Sequence, residues 1–72
     1  MTSEQYRGYT LWGHAILDRS DETTARGRYA ASGTITKEGK IVEASGVLGN
    51  FDIEDEAELA GLLWGRAWVD NH

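Results

Sequence analysis

Phe51-Asp52-Ile53-Glu54-Asp55-Glu56-Ala57 has the composition of a helix start. An apolar residue precedes Asp52, whose carboxylate can accept hydrogen bonds from the free backbone N–H groups at a helix N-terminus. The acids that follow complement the positive end of a helix dipole. The sequence therefore predicts a helix that begins within two residues of Asp52, in a segment that extends over residues 49–72.

Beyond this start, small and aromatic residues recur at intervals of three and four positions, as expected for a helix that buries one face. They are Ala57, Ala60, Gly61, Trp64, Ala67 and Trp68. This helical segment also contains the whole charge imbalance of the chain. Up to Leu48, six basic residues balance six acidic ones. From Gly49 onward there are six acids and one base, Arg66, which gives the net charge of −5.

The first two-thirds of the chain has the two-residue periodicity of β-strands. The pattern predicts strands over residues 6–18, 28–37 and 40–48, with a polar loop over 19–26 and a tight turn at Glu38-Gly39. The fold class predicted is α+β, a three-stranded antiparallel meander with one C-terminal helix packed on one face (β-β-β-α). The chain of 72 residues has room for one domain, residues 1–72.

One face of the predicted sheet has small residues at its centre and bulky residues at its ends. The small residues are Gly13, Ala15, Ala31, Gly33, Ala44 and Gly46, and the bulky ones include Leu11, Ile35, Val42 and Leu48. Because interiors are densely packed, we expect Trp64 and Trp68 to fill this trough as core residues.

The opposite sheet face retains apolar residues that a small monomer would usually avoid. Trp12 and Ile16 lie there with His14 and Arg28, and a second, thinner stripe on the helix back is predicted from Leu59, Leu62 and Val69. A chain of this size is marginally stable alone, so we predict a homodimer. The sheet face is the first candidate interface because it offers an aromatic anchor, and the helix stripe is the second.

Residues suited to chemistry are few. The chain has no cysteine and two histidines that are far apart, so zinc and triad chemistry lack their parts. The acids of residues 52–58 lack the turn glycine and the spacing of a calcium loop. We therefore predict no enzymatic activity, no catalytic residue, no cofactor and no metal. No apolar run is long enough to span a membrane and no signal peptide is evident, which favours a cytoplasmic protein.

Several short motifs together resemble a group of short, mostly proteobacterial single-domain proteins of uncharacterised function. These motifs are Tyr6-Arg7-Gly8-Tyr9, Gly27-Arg28-Tyr29, and Phe51-Asp52-Ile53-Glu54-Asp55-Glu56-Ala57 with Trp64, Ala67 and Trp68-Val69-Asp70. The resemblance covers most of the chain and implies the β-β-β-α fold. It implies no functional residue, because none of the motifs is catalytic. Ile53 departs from the Ser or Thr often found there, which leaves the helix cap uncertain by one residue.

Three functional hypotheses follow from the sequence. The first is a non-catalytic cytoplasmic interaction module, homodimeric and with an unidentified protein partner. The second is a nucleic-acid-binding domain of integrase arm or double-stranded-RNA-binding type, with Trp12 beside Arg7 and Arg28. It is disfavoured because acids offset the few basic residues. The third is an acidic immunity or regulatory protein that blocks a basic partner through its helix.

Overall fold

The computed structural model of the chain describes residues 2–18 and 28–72. In these ranges the strands are β1 (Thr2–Tyr6), β2 (Tyr9–Asp18), β3 (Arg28–Lys37), β4 (Lys40–Ala44) and β5 (Gly49–Phe51), followed by the helix α1 (Glu54–Asp70). All strand pairs are antiparallel, in the order β1-β2-β3-β4, and β5 also pairs with β3. The predicted α+β class, antiparallel sheet and C-terminal helix are confirmed, whereas the prediction of three strands is wrong. The loop predicted at residues 19–26 lies outside the described residues.

Two tight hairpin turns have the same geometry. Arg7 and Gly8 have φ angles of 51° and 86°, and Glu38 and Gly39 have φ angles of 55° and 80°. Two successive positive φ angles match the twist of the flanking strands, and glycine adopts the second at no steric cost. The turn at Glu38 was predicted. The turn at Arg7 was not, so the strand predicted over residues 6–18 is divided into β1 and β2.

The third predicted strand, residues 40–48, is also divided. Glu43 lies opposite Ile35 and Ile41 lies opposite Thr36, so Val42 is an extra residue that forms a β-bulge. Since cross-strand partners point to the same side, the bulge places Ala44 with Thr34, on the face away from the helix. The prediction that Ala44 lines the helix-covered face is therefore wrong. Val42 and Leu48 are 40% and 39% exposed.

Residues 45–51 continue along β3 after the bulge. The backbone N–H groups of Ser45 and Leu48 donate to the carbonyls of Gly33 and Ala31. Gly46 has a φ of 72°, and pairing resumes in β5 with Gly49 opposite Ala31. Gly49–Phe51 is thus a strand, and the prediction that placed it in the helical segment is wrong.

The helix begins at Glu54, within the predicted two residues of Asp52. Ile53 occupies the N-cap position and no side chain caps the helix, so the prediction of Asp52 as the cap is wrong. Glu54, Asp55 and Glu56 do lie in the first turn, where their charge complements the helix dipole. Dipole complementation is therefore the stabilising feature of this terminus.

The helix backbone lies directly on the sheet. Gly13 and Gly33 are cross-strand partners, and Gly61 lies over both of them. A Cβ atom added at Gly33 would be 2.7 Å from the Gly61 carbonyl oxygen, and one added at Gly13 would collide with the Glu58 carbonyl oxygen. The prediction that two indoles fill the trough holds only in part. Helix backbone covers the trough together with the indole of Trp64, whose Cε3 would be 2.7 Å from a Cβ added at Gly33. Trp64 and Trp68 are half-buried beside it.

The larger apolar side chains pack where the helix rises from the glycine contact toward its C-terminus. Leu11 and Ile35 are fully buried and Val69 is 7% exposed. Partly buried residues surround this core: Tyr6, Tyr9, Leu62, Trp64 and Trp68. The Tyr9 and Trp68 rings meet edge to face with centroids 6.1 Å apart. The core is therefore concentrated between β2, β3 and the second half of α1.

Candidate interaction surface on the outer sheet face

The outer face is the side of the sheet that faces away from α1. In residues 2–18 and 28–72 no other element packs on it, because the one helix lies on the opposite side. The strand register assigns to its centre Thr10, Trp12, His14, Ile16, Arg28, Ala30, Ser32, Thr34 and Thr36. The four candidate residues predicted for the sheet interface, Trp12, His14, Ile16 and Arg28, are therefore brought together on one surface.

Trp12 and His14 are held by equivalent diagonal hydrogen bonds across β2 and β3. Trp12 lies opposite Thr34, and its Nε1 donates to the Thr36 hydroxyl at 3.0 Å. His14 lies opposite Ser32, and its Nε2 shares a hydrogen bond with the Thr34 hydroxyl at 3.1 Å. Both bonds reach two residues further along β3, so the two rings lean the same way over that strand. The polar atoms of both rings make hydrogen bonds within the sheet. Both residues are half-buried, although no other described element covers them.

Apolar area borders the two rings. Ile16 is 54% exposed at one end of the face, next to Ala30, which is only 8% exposed. Ile41 is 73% exposed at the edge formed by β4, opposite Thr36. A flat surface with an aromatic centre, hydroxyl groups and exposed isoleucines has the composition of an interface core with a polar rim.

The outer face differs from the rest of the molecule in charge. Among the described acids, Glu4 and Glu43 lie opposite the inward-facing Leu11 and Ile35, and Glu38 lies in a turn. The other acids belong to α1 and the segment before it. On β2 and β3, Asp18 is the only acid at an outer register position, and its Cα partner in the register is Arg28. Within the residues that the structure describes, the outer face is thus the surface with the least negative charge.

The helix stripe predicted as the second interface is not a continuous surface. Val69 is buried in the core, and Leu62 packs against the core with its Cγ above Gly13. Only Leu59 is exposed, at 48%, and the neighbouring exposed residue is Leu63, at 51%. The stripe is more buried than predicted because the helix lies so close to the sheet that the sides of the helix are partly covered as well.

Contacts between β1 and the end of α1 were missed because β1 was not predicted. Arg66 donates two hydrogen bonds to the Glu4 carboxylate, at 3.0 and 2.9 Å, and the Tyr6 hydroxyl donates to Asp70 at 2.7 Å. The hydrogen bonds and the charge of Glu4 raise the pKa of the Arg66 guanidinium. Arg7 pairs with Asp70 at 3.5 Å. The signal that could have revealed β1 is the repeat of a charged residue followed by glycine at Arg7 and Glu38.

Metal-ligating side chains do not cluster in the part of the chain that the structure describes. There, no three His, Cys, Asp or Glu side chains are arranged to hold a metal ion. No helix within the described ranges combines the length and the apolar character needed to cross a bilayer.

Comparisons with known proteins return no match: no protein-family model, no curated protein and no solved structure is similar to this chain. The resemblance to short β-β-β-α proteins stays a prediction.

Proposed function

We propose that this protein is a small, non-catalytic interaction module of the cytoplasm that forms a homodimer through its outer sheet face. The observation that supports this most is the combination of an ordered aromatic centre with low negative charge on the one uncovered face of the described sheet. The protein has a net charge of −5, so a second copy can approach this face at the lowest electrostatic cost.

The charge distribution also favours this orientation over others. Two copies joined by their outer faces place their acidic helices on opposite sides of the dimer, separated by both sheets. Contact through the helices would instead bring two acidic first turns, residues 54–56, toward each other. Stacked sheets are about 10 Å apart, which is one Debye length at 0.1 M salt, so repulsion across the two sheets is small.

The shape of the outer face suits a two-fold contact, in which one patch meets its own copy. Trp12 would be the anchor, because aromatic residues contribute disproportionately to binding free energy. Its hydrogen bond to Thr36 holds the ring in place before association, which lowers the entropic cost of ordering it on binding.

The structure does not favour the nucleic-acid hypothesis. Arg7, which was expected beside Trp12, lies in the turn between β1 and β2 and pairs with Asp70. Among the described residues of β2 and β3, Arg28 is then the one arginine at an outer register position, whereas nucleic-acid binding needs a cluster of basic residues.

Sedimentation at micromolar concentration tests the dimer with a matched pair of variants. Ile16 and Ile53 are both 54% exposed, the first on the outer face and the second before the helix. We expect Ile16→Glu to be monomeric, because two added carboxylates would be desolvated at the contact. We expect Ile53→Glu to remain dimeric like the wild type.

A wild-type monomer over the whole concentration range would reject the proposal. A dimer that persists in Ile16→Glu, with both variants folded by circular dichroism, would place the contact elsewhere on the molecule.

A further inference from the structure

The helix α1 has an unusual distribution of side-chain size. Its buried stripe consists of Ala57, Gly61, Gly65 and Val69, which are small or medium-sized. Its two largest aliphatic side chains other than Leu62 are Leu59 and Leu63, and these lie about half a helical turn away from that stripe, 48% and 51% exposed. The usual arrangement, with leucines buried and small or polar residues outside, is reversed.

The close contact between helix and sheet explains the small residues but not the leucines. Glycine is needed at position 61 because a Cβ there would collide with the Ser32 carbonyl oxygen. Nothing in the described fold requires leucine at 59 and 63, where Glu, Lys or Gln would support a helix equally well. Because Leu59 and Leu63 are neighbours on the helix surface, they form a continuous apolar patch, and exposed patches of this kind mark binding surfaces.

Leu59, Leu63 and the exposed Ala67 form the outward ridge, a row of side chains four positions apart. Rows with this spacing fit into the groove between the corresponding rows of another helix. The outward ridge ends at the acidic first turn of α1. Within the described residues, the side chains of Asp55 and Glu56 have no hydrogen-bond or ion-pair partner.

We propose that the outward ridge is a docking surface for an amphipathic helix of a partner protein whose apolar stripe is bordered by Lys and Arg. The leucines supply the apolar contact, and the first turn of α1 supplies the complementary charge. A second copy of this chain is not the occupant, because it would bring the same acidic turn to an already acidic surface. This surface is separate from the outer sheet face, so the proposal does not depend on the homodimer.

A designed peptide provides the test. The probe is a fluorescently labelled helix of about 18 residues, long enough to be helical in water, with Leu on one stripe and Lys elsewhere. Its counterpart has every Lys replaced by Glu. Fluorescence anisotropy with the full chain should detect binding of the Lys peptide only. That binding should weaken on raising the NaCl concentration to about 0.5 M, because salt screens the charges.

Variants identify the surface. Leu63→Ser should weaken binding of the Lys peptide about fivefold, the ratio expected for losing the remaining half of a leucine contact. Val47→Ser is the matched control, since Val47 is 69% exposed and lies in the segment between β4 and β5 rather than on α1, and the affinity of this variant should equal that of the wild type. The Ile16→Glu variant should bind as the wild type does, which separates this result from the fate of the dimer.

Equal binding of the Lys and Glu peptides, equal loss in Leu63→Ser and Val47→Ser, or no binding of the Lys peptide at low salt would each overturn the proposal.

Discussion

The two faces of the sheet pack differently, although their side chains alternate along the same two strands. On the inner face, Gly13 and Gly33 bring the helix backbone into direct contact with the sheet, and the fit tolerates no added atom. On the outer face, the residues adjacent to these glycines in sequence include Trp12 and His14, whose rings hydrogen-bond across the strands to the hydroxyls of Thr36 and Thr34. Alternation along the same two strands therefore produces one face specialised for close packing and one that is ordered but uncovered. The inner face should control stability, and the outer face should control association.

The largest change in the free energy of unfolding is expected from Gly61→Ala, on the inner face. Helix propensity alone would stabilise the variant by about 1 kcal/mol. The added Cβ would instead collide with the Ser32 carbonyl oxygen and approach the Gly13 Cα to 2.9 Å, and neither backbone atom can move freely. Overpacking of this kind should destabilise the protein by about 3 kcal/mol, measured by urea denaturation.

Gly49→Ala is the matched control for that substitution. A Cβ at Gly49 would meet only Phe51 Cε2, at 3.8 Å, an ordinary contact. Its stability should be close to that of the wild type. A Gly61→Ala protein more stable than the wild type would show that the helix does not lie on the sheet backbone.

A medium effect is expected on the outer face from Thr36→Val, which removes the acceptor of the Trp12 Nε1 hydrogen bond while conserving shape. We expect a loss of about 1 kcal/mol, the usual value for a hydrogen bond of this kind, and a greater mobility of the indole in fluorescence anisotropy decay. Thr10→Val on the same face is the control, because within the described residues the Thr10 hydroxyl makes no hydrogen bond. If Thr36→Val and Thr10→Val have the same stability and the same indole mobility, the hydrogen bond to Thr36 does not order Trp12 on the outer face.

The smallest effect is expected where β1 is joined to the helix. Glu4→Gln removes the charge from the Glu4–Arg66 pair, whose side chains are 27% and 43% exposed. Exposed pairs contribute little, so the melting temperature should fall slightly at low salt, and the difference should vanish in about 1 M NaCl. In an Arg66→Met background the same substitution should have no further effect.

The pH dependence of this pair has a defined sign. Because folding raises the pKa of Arg66 above its ordinary value, the contribution of this pair is fully present below that ordinary value and is lost only as pH rises through the raised value. The difference between Glu4→Gln and the wild type should therefore not arise from titration of Arg66 at neutral pH.

Local features of the sequence predicted the elements of the fold better than their boundaries. The helix and the turn at Glu38 were predicted correctly, because each depends on residues close together in the chain. The turn at Arg7 has the same kind of signal, but a long alternating pattern on either side of it was interpreted as one strand. The bulge at Val42 left no signal, since one extra residue in a strand changes the facing of its neighbours without changing their composition.

The two candidate surfaces were also predicted with different success. Alternation along β2 and β3 was enough to group Trp12, His14, Ile16 and Arg28, because side chains two residues apart share a face. Their hydrogen bonds to Thr34 and Thr36 required the register between the strands. The prediction of a helix interface was wrong at Val69. Helical spacing gives the position of a residue around the helix axis, but not the distance between that helix and the sheet.

The sequence by itself determined the α+β class, the acidic helix and the two faces of the central strands, all of which follow from periodicity and local charge. Only the tertiary structure decided that helix backbone lies on the glycine trough beside the Trp64 indole, that Val69 is buried, and that Leu59 and Leu63 are exposed. These outcomes depend on the distance between helix and sheet. That distance is set jointly by Gly13, Gly33 and Gly61, which lie on three different elements and meet only in the folded chain.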